Sequence, residues 1–194
     1  MEAISKSGST SNVTTILYAG NFGVGQGLTK IIPEVAEYLS ERARFILIGD
    51  GAQKELLQMR LRERNINNVD VVAPVPRHEL IHFYKQADIL FLHLSDFKVF
   101  EEVLPSKIFE YGATGKPILA GVTGFAKTFM NENLPDVEIF YPGDADAMLS
   151  AYHKLNSNLS LKNREVFNDK FSREKIMAEM VSDLFQVLDI GKKK

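Results

Sequence analysis

The residues best suited to chemistry lie between Glu102 and Gly121. Two glutamates, Glu102 and Glu110, have seven residues between them, and Leu104-Pro105-Ser106-Lys107 falls inside that interval. Pro105-Ser106-Lys107 reads as the start of a helix. Gly115-Lys116-Pro117 and the apolar run after it read as a helix stop and a buried strand. A helix that begins where a strand's loop ends offers free backbone N–H groups and the positive end of its dipole, a geometry suited to a diphosphate. Ser106 adds a hydroxyl donor and Lys107 a cation. Glu110, about one turn further in, can accept hydrogen bonds from sugar hydroxyls. The plainer reading of the same spacing is an amphipathic helix with a good N-terminus.

A second candidate is the loop Gly20-Asn21-Phe22-Gly23-Val24-Gly25-Gln26-Gly27. It has the glycine density of a phosphate loop but fails both familiar fingerprints. After Gly23 and Gly25 the dinucleotide pattern needs a third glycine where Leu28 stands. The Walker pattern needs a lysine where Gln26 stands. NAD-binding and P-loop readings therefore lose their main support. The plain alternative is a set of glycines serving only a tight turn.

These residues need a scaffold, and the rest of the chain supplies its pattern. Apolar runs at Thr14–Gly20, Arg44–Ile48, Val69–Val72, Asp88–His93, Pro117–Ala120 and Val137–Phe140 read as strands. Helical patterns follow at Leu28–Leu39, Gln53–Arg64, Arg77–Gln86, Ser106–Thr114, Phe125–Glu132 and Asp144–Leu155, and the remainder is helical, Arg173–Leu188 above all. Pro33 predicts a late start or a kink in the first helix, because it lacks an N–H and crowds the preceding turn. Strand–helix alternation with non-alternating apolar strands predicts an α/β fold, a doubly wound, Rossmann-like parallel sheet covered on both faces. Ligands of such sheets bind beyond the carboxyl ends of the strands, where the unusual loops of this chain fall.

The Glu102–Glu110 segment resembles the E-x7-E region of retaining glycosyltransferases of the GT-B fold, family 4. It is most similar to the branch with Pro-Ser-Lys before the second glutamate, common in bacterial surface-polysaccharide synthesis. Gly49-Asp50-Gly51, then Arg77-His78-Glu79-Leu80 and Ala87-Asp88-Ile89, also resemble that family's C-terminal half. The resemblance implies a nucleotide-sugar donor site with Glu110 at the ribose and Glu102 on the sugar side. Leu104, Pro105, Ser106 and Lys107 would lie at the diphosphate, and Val75, Pro76 and Arg77 would meet the nucleobase through their backbone. Gly20, Asn21, Gly23, Gln26, Gly27, Gly49 and Asp50 complete the expected donor contacts, with Glu102 and Lys107 the expected catalytic pair. The family usually carries an arginine at the position of Asn21 and a lysine at that of Gln26, so a strong cationic clamp from this loop is in doubt. Either Lys107 supplies the charge, with Lys98 assisting, or the other half of the enzyme does, or the donor is held weakly. UDP is the expected nucleotide because it is common in this branch, and no cofactor or metal is implied.

The family's N-terminal half, which holds the glycan or lipid-linked acceptor, has no counterpart in these 194 residues. The expected organisation is a lead-in at 1–12, a nucleotide-sugar-binding domain at 13–190 and a basic tail at 191–194. The final helix resembles the one that crosses back to the acceptor half. Residues 1–194 alone are then expected to be inactive.

Composition narrows the alternatives. With 23 basic and 25 acidic residues the formal charge is −2, which gives no global attraction to nucleic acid. The absence of cysteine excludes disulfides and thiolate metal sites. His78, His82, His93 and His153 do not form a metal spacing, although His78 and His82 share a helix face. His93, at the end of a strand by the crevice, is a candidate contact to the donor sugar, a phosphate-site residue or a plain rim residue. No apolar run approaches the ~20 residues of a membrane span, and no secretory pattern opens the chain. The expected location is the cytoplasm, with room for peripheral association of the full enzyme at the inner face of the membrane. Phe171, Met177, Met180 and Phe185 recur at helical spacing and read as core or interdomain contacts. Two other functions fit the same architecture: a nucleotide-sugar 2-epimerase-like enzyme, and a non-enzymatic flavodoxin-like sensor. A cleft packed shut by Phe97 and Phe100 would favour the sensor.

Overall fold

The computed structural model describes residues 13–191. The lead-in at 1–12 and the lysines at 192–194 lie outside the described residues, as does the side chain of Phe185. Six strands form the sheet: Thr14–Asn21 (β1), Ala43–Asp50 (β2), Val69–Val72 (β3), Ile89–His93 (β4), Ile118–Gly121 (β5) and Val137–Phe140 (β6). The α-helices are Leu28–Tyr38 (α1), Lys54–Glu63 (α2), Arg77–Gln86 (α3), Lys107–Thr114 (α4), Gly124–Asn133 (α5), Ala145–Asn156 (α6), Glu165–Lys170 (α7) and Arg173–Gly191 (α8). Single 3-10 turns occupy Val24–Gln26 and Lys98–Glu102.

All strand pairs are parallel, in the order β3-β2-β1-β4-β5-β6. The chain winds outward from β1 to β3, returns to place β4 on the other side of β1, and winds outward again. This is the doubly wound, Rossmann-like fold expected from the alternation of elements, and its reversal point is the β1/β4 gap. There the two strands pair only at Ile16–Ile89 and Leu17–Leu90, whereas β1 and β2 stay paired from Thr14–Ala43 to Asn21–Asp50. Past Leu17 the sheet opens into a crevice.

Successive strand residues point to opposite faces, and the core divides accordingly. Ile16, Tyr18, Phe45, Leu47 and Phe91 pack with Ile31, Ile32 and Val35 of α1, Leu57 of α2, and Met148 and Tyr152 of α6. Leu17, Ala19, Leu90 and Leu92 pack with Ile108 and Tyr111 of α4, Met130 of α5 and Phe167 of α7. Phe171 joins an aromatic group with Phe109, Phe129 and Phe167. Met177 and Met180, in contrast, are half-exposed on α8. α8 itself runs through Gly191, one residue into the stretch read as a tail.

Pro33 does not delay α1, which begins at Leu28 with Gly27 as its cap. A proline at this position cannot donate to the carbonyl of Thr29, four residues back. Arg60 of α2 donates to that carbonyl instead, Nη1 to O at 2.7 Å. A neighbouring helix thus satisfies the acceptor, and the helix continues through the proline.

Candidate functional site

The site is assembled at the carboxyl edge of β1 and β2. An open cleft of about 360 Å³ is lined by Ala19, Gly20, Asn21, Ile48, Gly49, Asp50, Pro74, Val75, Leu80 and Lys107. Ala19, Ile48, Pro74, Val75 and Leu80 give it an apolar floor. Gly20 and Gly49 let two backbones approach there. A Cβ on Gly49, whose φ is 153°, would collide with the Gly20 carbonyl oxygen. A Cβ on Gly20 would lie 2.5 Å from Lys107 Cε, so the lysine stem lies across this glycine.

Helix α4 delivers Lys107. The helix is held from below by Ile108 and Tyr111, both fully buried. Truncating Ile108 would cost roughly 2–5 kcal/mol, so packing more than intrinsic propensity fixes its position. Gly112 makes room for the Phe167 ring, and the helix ends on Gly115 in the left-handed conformation. Tyr111 also bridges the crevice, because its Oη accepts a hydrogen bond from the Ala19 N–H at 3.1 Å. Ser106 caps the helix without a side-chain hydrogen bond. The N–H groups of Ser106 and Lys107 meet no acceptor among the described residues. Lys107 Nζ stands 5.9 Å from the Tyr111 ring centre and has no ion-pair partner among the described residues. Burial lowers its pKa, opposed by the charge of Glu110. It is the one cation lining the cleft. The one acid is Asp50, whose Oδ1 accepts from the Gly51 N–H at 2.8 Å and lies 3.7 Å from Lys54 Nζ.

Six of the sequence-derived candidates therefore share the cleft: Gly20, Asn21, Gly49, Asp50, Val75 and Lys107. Pro76 and Arg77 open α3 beside Val75 without lining it. Leu104, Pro105 and Ser106 lead into α4 and likewise do not line it. Glu110 is exposed at the rim, where its Oε2 accepts from the Tyr84 hydroxyl at 3.2 Å. Glu102 is exposed at the end of the 3-10 turn at Lys98–Glu102, with no polar partner among the described residues. Lys98 is exposed on the same turn and does not line the cleft.

The glycine loop turns its polar side chains on itself. Gln26 Oε1 accepts from the Gly23 N–H at 3.1 Å and from Asn21 Nδ2 at 3.3 Å. Gly23, Gln26 and Gly27 are set back from the cleft. His93 fastens the loop from beneath. Its Nδ1 donates to the Gln26 carbonyl at 2.7 Å and its Nε2 accepts from the Gly143 N–H at 3.0 Å. Because those partners can only accept and donate respectively, the ring is neutral with its proton on Nδ1. Burial lowers its pKa to about 4, with Lys30 adding to the fall and the Gln26 bond and Asp96 opposing it. At 1% exposure His93 is not a plain rim residue, although it lines a small cavity with Gly27, Lys30 and Ser95. Phe97 and Phe100 stack on each other, and Phe100 packs on Gly25. Neither lines the cleft, which stays open. Among the described residues no cluster of metal-ligating side chains occurs, and no helix is long and apolar enough to cross a membrane.

Sequence reasoning missed Ala19, Ile48, Pro74 and Leu80. The first two directly precede Gly20 and Gly49, and that position at a strand end was the available signal. Tyr84 and Tyr111 carried none, because their partners lie far away in sequence.

A family model described as "Glycosyl transferases group 1" matches residues 2–170. The chain belongs to this family. Comparison with curated protein sequences finds no match. Among solved structures, the group 1 chain is similar to Anabaena HepE in complex with UDP, with a TM-score of 0.75 and 13% identity over 90% of this chain and 49% of that one. It is similar to sucrose-phosphate synthase from Thermosynechococcus elongatus, with a TM-score of 0.72 and 18% identity over 93% and 47%. It is also similar to the catalytic domain of cholesterol-alpha-glucosyltransferase from Helicobacter pylori, with a TM-score of 0.59 and 13% identity over 87% and 98%. At such identities these neighbours establish the fold, that of one half of a GT-B glycosyltransferase. The chain spans about half the length of the HepE and synthase chains.

Proposed function

We propose that this group 1 glycosyltransferase domain binds the nucleotide-sugar donor of a retaining, family 4 hexosyltransferase, with the acceptor held by a separate N-terminal domain. The observation that carries the reading is one cleft that joins an apolar floor, two close-packed glycine backbones and the start of α4 with its single cation, Lys107. A flat base suits the floor by Val75 and Leu80, and a diphosphate suits the free N–H groups and the lysine. In this reading Glu110 takes the ribose hydroxyls and Glu102 lies toward the sugar. Ser106, Lys107 and the α4 dipole stabilise charge as the diphosphate leaves. UDP is the proposed nucleotide, consistent with the UDP and UDP-glucose complexes of HepE. The proposed acceptor is a glycan or lipid-linked sugar of surface polysaccharide, with the full enzyme working in the cytoplasm at the inner face of the membrane.

The test is calorimetry of the chain against UDP, GDP, ADP and TDP and their sugars, followed by Lys107→Ala. The lysine meets phosphate charge, so the substitution should weaken UDP about tenfold, near the value of a charged hydrogen bond discounted for solvent screening, and leave uridine unchanged. Equal losses for uridine and UDP would remove the diphosphate from α4.

A further inference from the structure

Tyr84 lies outside every motif in the sequence, yet it joins the two helices that flank the cleft. On α3, Leu80 lines the cleft and Tyr84 stands one turn further along the same face. On α4, Lys107 lines the cleft and Glu110 stands one turn further along. The Tyr84–Glu110 hydrogen bond, 3.2 Å long, therefore runs beside the Leu80–Lys107 pair at the cleft rim. The tyrosine ring is itself fixed. It packs edge-on against Tyr111, with ring centres 5.8 Å apart and an interplanar angle of 80°. Tyr111 in turn is fully buried and bonded to the Ala19 N–H. Burial of the Tyr84 hydroxyl and the neighbouring Glu110 charge both raise its pKa, against the opposing charge of Arg77, so it stays a donor at neutral pH.

We propose that Tyr84 is a positioning residue that fixes the Glu110 carboxylate for ribose recognition and so sets the preference of the site for ribonucleotide donors. This rests on the donor-site reading given above. A glutamate on an exposed helix face samples several rotamers, and ordering it on binding would cost affinity. With Oε2 held by Tyr84, Oε1 has no partner among the described residues and is presented for sugar hydroxyls. Tyr84 touches no substrate in this role. It acts through Glu110.

The experiment is calorimetry with UDP, GDP and ADP and their 2′,3′-dideoxy forms on wild type, Tyr84→Phe and Glu110→Gln. Tyr84→Phe keeps the ring and its packing on Tyr111 and removes only the donor. It should lower affinity for the preferred ribonucleotide about 3- to 10-fold, the range of one solvent-screened hydrogen bond to a carboxylate with its ordering cost. The dideoxy form should bind as before, so discrimination falls by the same factor. A loss shared by both forms would mark a merely structural role and overturn the inference, as would unchanged discrimination. Glu110→Gln separates the two levels. If it abolishes discrimination while Tyr84→Phe does not, only the tyrosine inference fails. If it leaves discrimination intact, or wild type binds none of the nucleotides, the ribose assignment fails and the inference falls with it.

Discussion

His93 shows how one buried side chain can set the shape of a binding loop. It packs in a cluster of three rings with Phe91 and Phe140, and its two nitrogens tie the Gln26 carbonyl to the Gly143 N–H. Protonation would place a second N–H on Nε2, facing the N–H of Gly143, with only Asp96 to oppose the new charge and Lys30 to worsen it. The folded-state pKa of about 4 lies below the ordinary value of 6.5. Between those values the unfolded chain binds the extra proton, so the stability from neutral His93 is complete above pH 6.5 and drains away as pH falls toward 4. The loss between pH 7.5 and pH 5 should be about 2 kcal/mol. Urea denaturation at both pH values measures it, with His93→Gln as the reference, since an amide offers one donor and one acceptor at any pH. Equal pH dependence in the two proteins would show that His93 does not carry the effect. Asn21 and Gln26 belong to the same account. Their neutral side chains bond within the loop, and the cleft is left with Lys107 as its cation.

At the scale of elements, α1 and α2 depend on each other through one carbonyl. Arg60→Ala would strand the Thr29 oxygen that Pro33 cannot satisfy, costing roughly 1–3 kcal/mol. Pro33→Ala restores a backbone donor four residues on, so Arg60→Ala should cost much less in that background. Chemical denaturation of the four proteins in this cycle measures the coupling, and additive losses would break the argument. The same bond marks where the sequence stopped being readable. The strands were legible because both faces of the sheet are covered, which leaves continuous apolar runs such as Ile89–Leu92 in β4. The order of elements followed from their alternation, and the glycines and Lys107 stood out because contiguous motifs mark strand ends. Gly49 and Asp50 read as loop but extend β2, since their pairing with Gly20 and Asn21 is a property of the sheet. Arg60–Thr29 and Tyr84–Glu110 join residues 31 and 26 apart, set only by how the helices pack. No periodicity or motif encodes such pairs.

At the scale of the whole molecule, the cleft at the carboxyl edge of β1 and β2 is the place of the proposed donor. Transfer needs more: an acceptor oriented toward the sugar, and water kept from the reacting carbon. The neighbouring HepE and synthase chains are about twice as long as the matched region, whereas the Helicobacter catalytic domain is matched over 98% of its chain. In the proposed reading a second half closes over the cleft. On α8, Ile176, Met177, Met180 and Val181 are all more than 40% exposed, an apolar surface that suits such a partner. With only Lys107 lining the cleft as a cation, residues 1–194 should bind a nucleotide sugar modestly and transfer nothing. The measurement is product formation over many turnovers, with UDP-sugars and a panel of sugar and lipid-linked acceptors, beside calorimetric proof that the donor is bound. Bound donor without turnover would fit a donor half awaiting its partner. Sustained transfer by these residues alone would overturn that reading and place the acceptor's base within this chain. His93 is a poor base, since it is buried and both its nitrogens are committed, so the exposed carboxylate of Glu102 would be the first group to substitute.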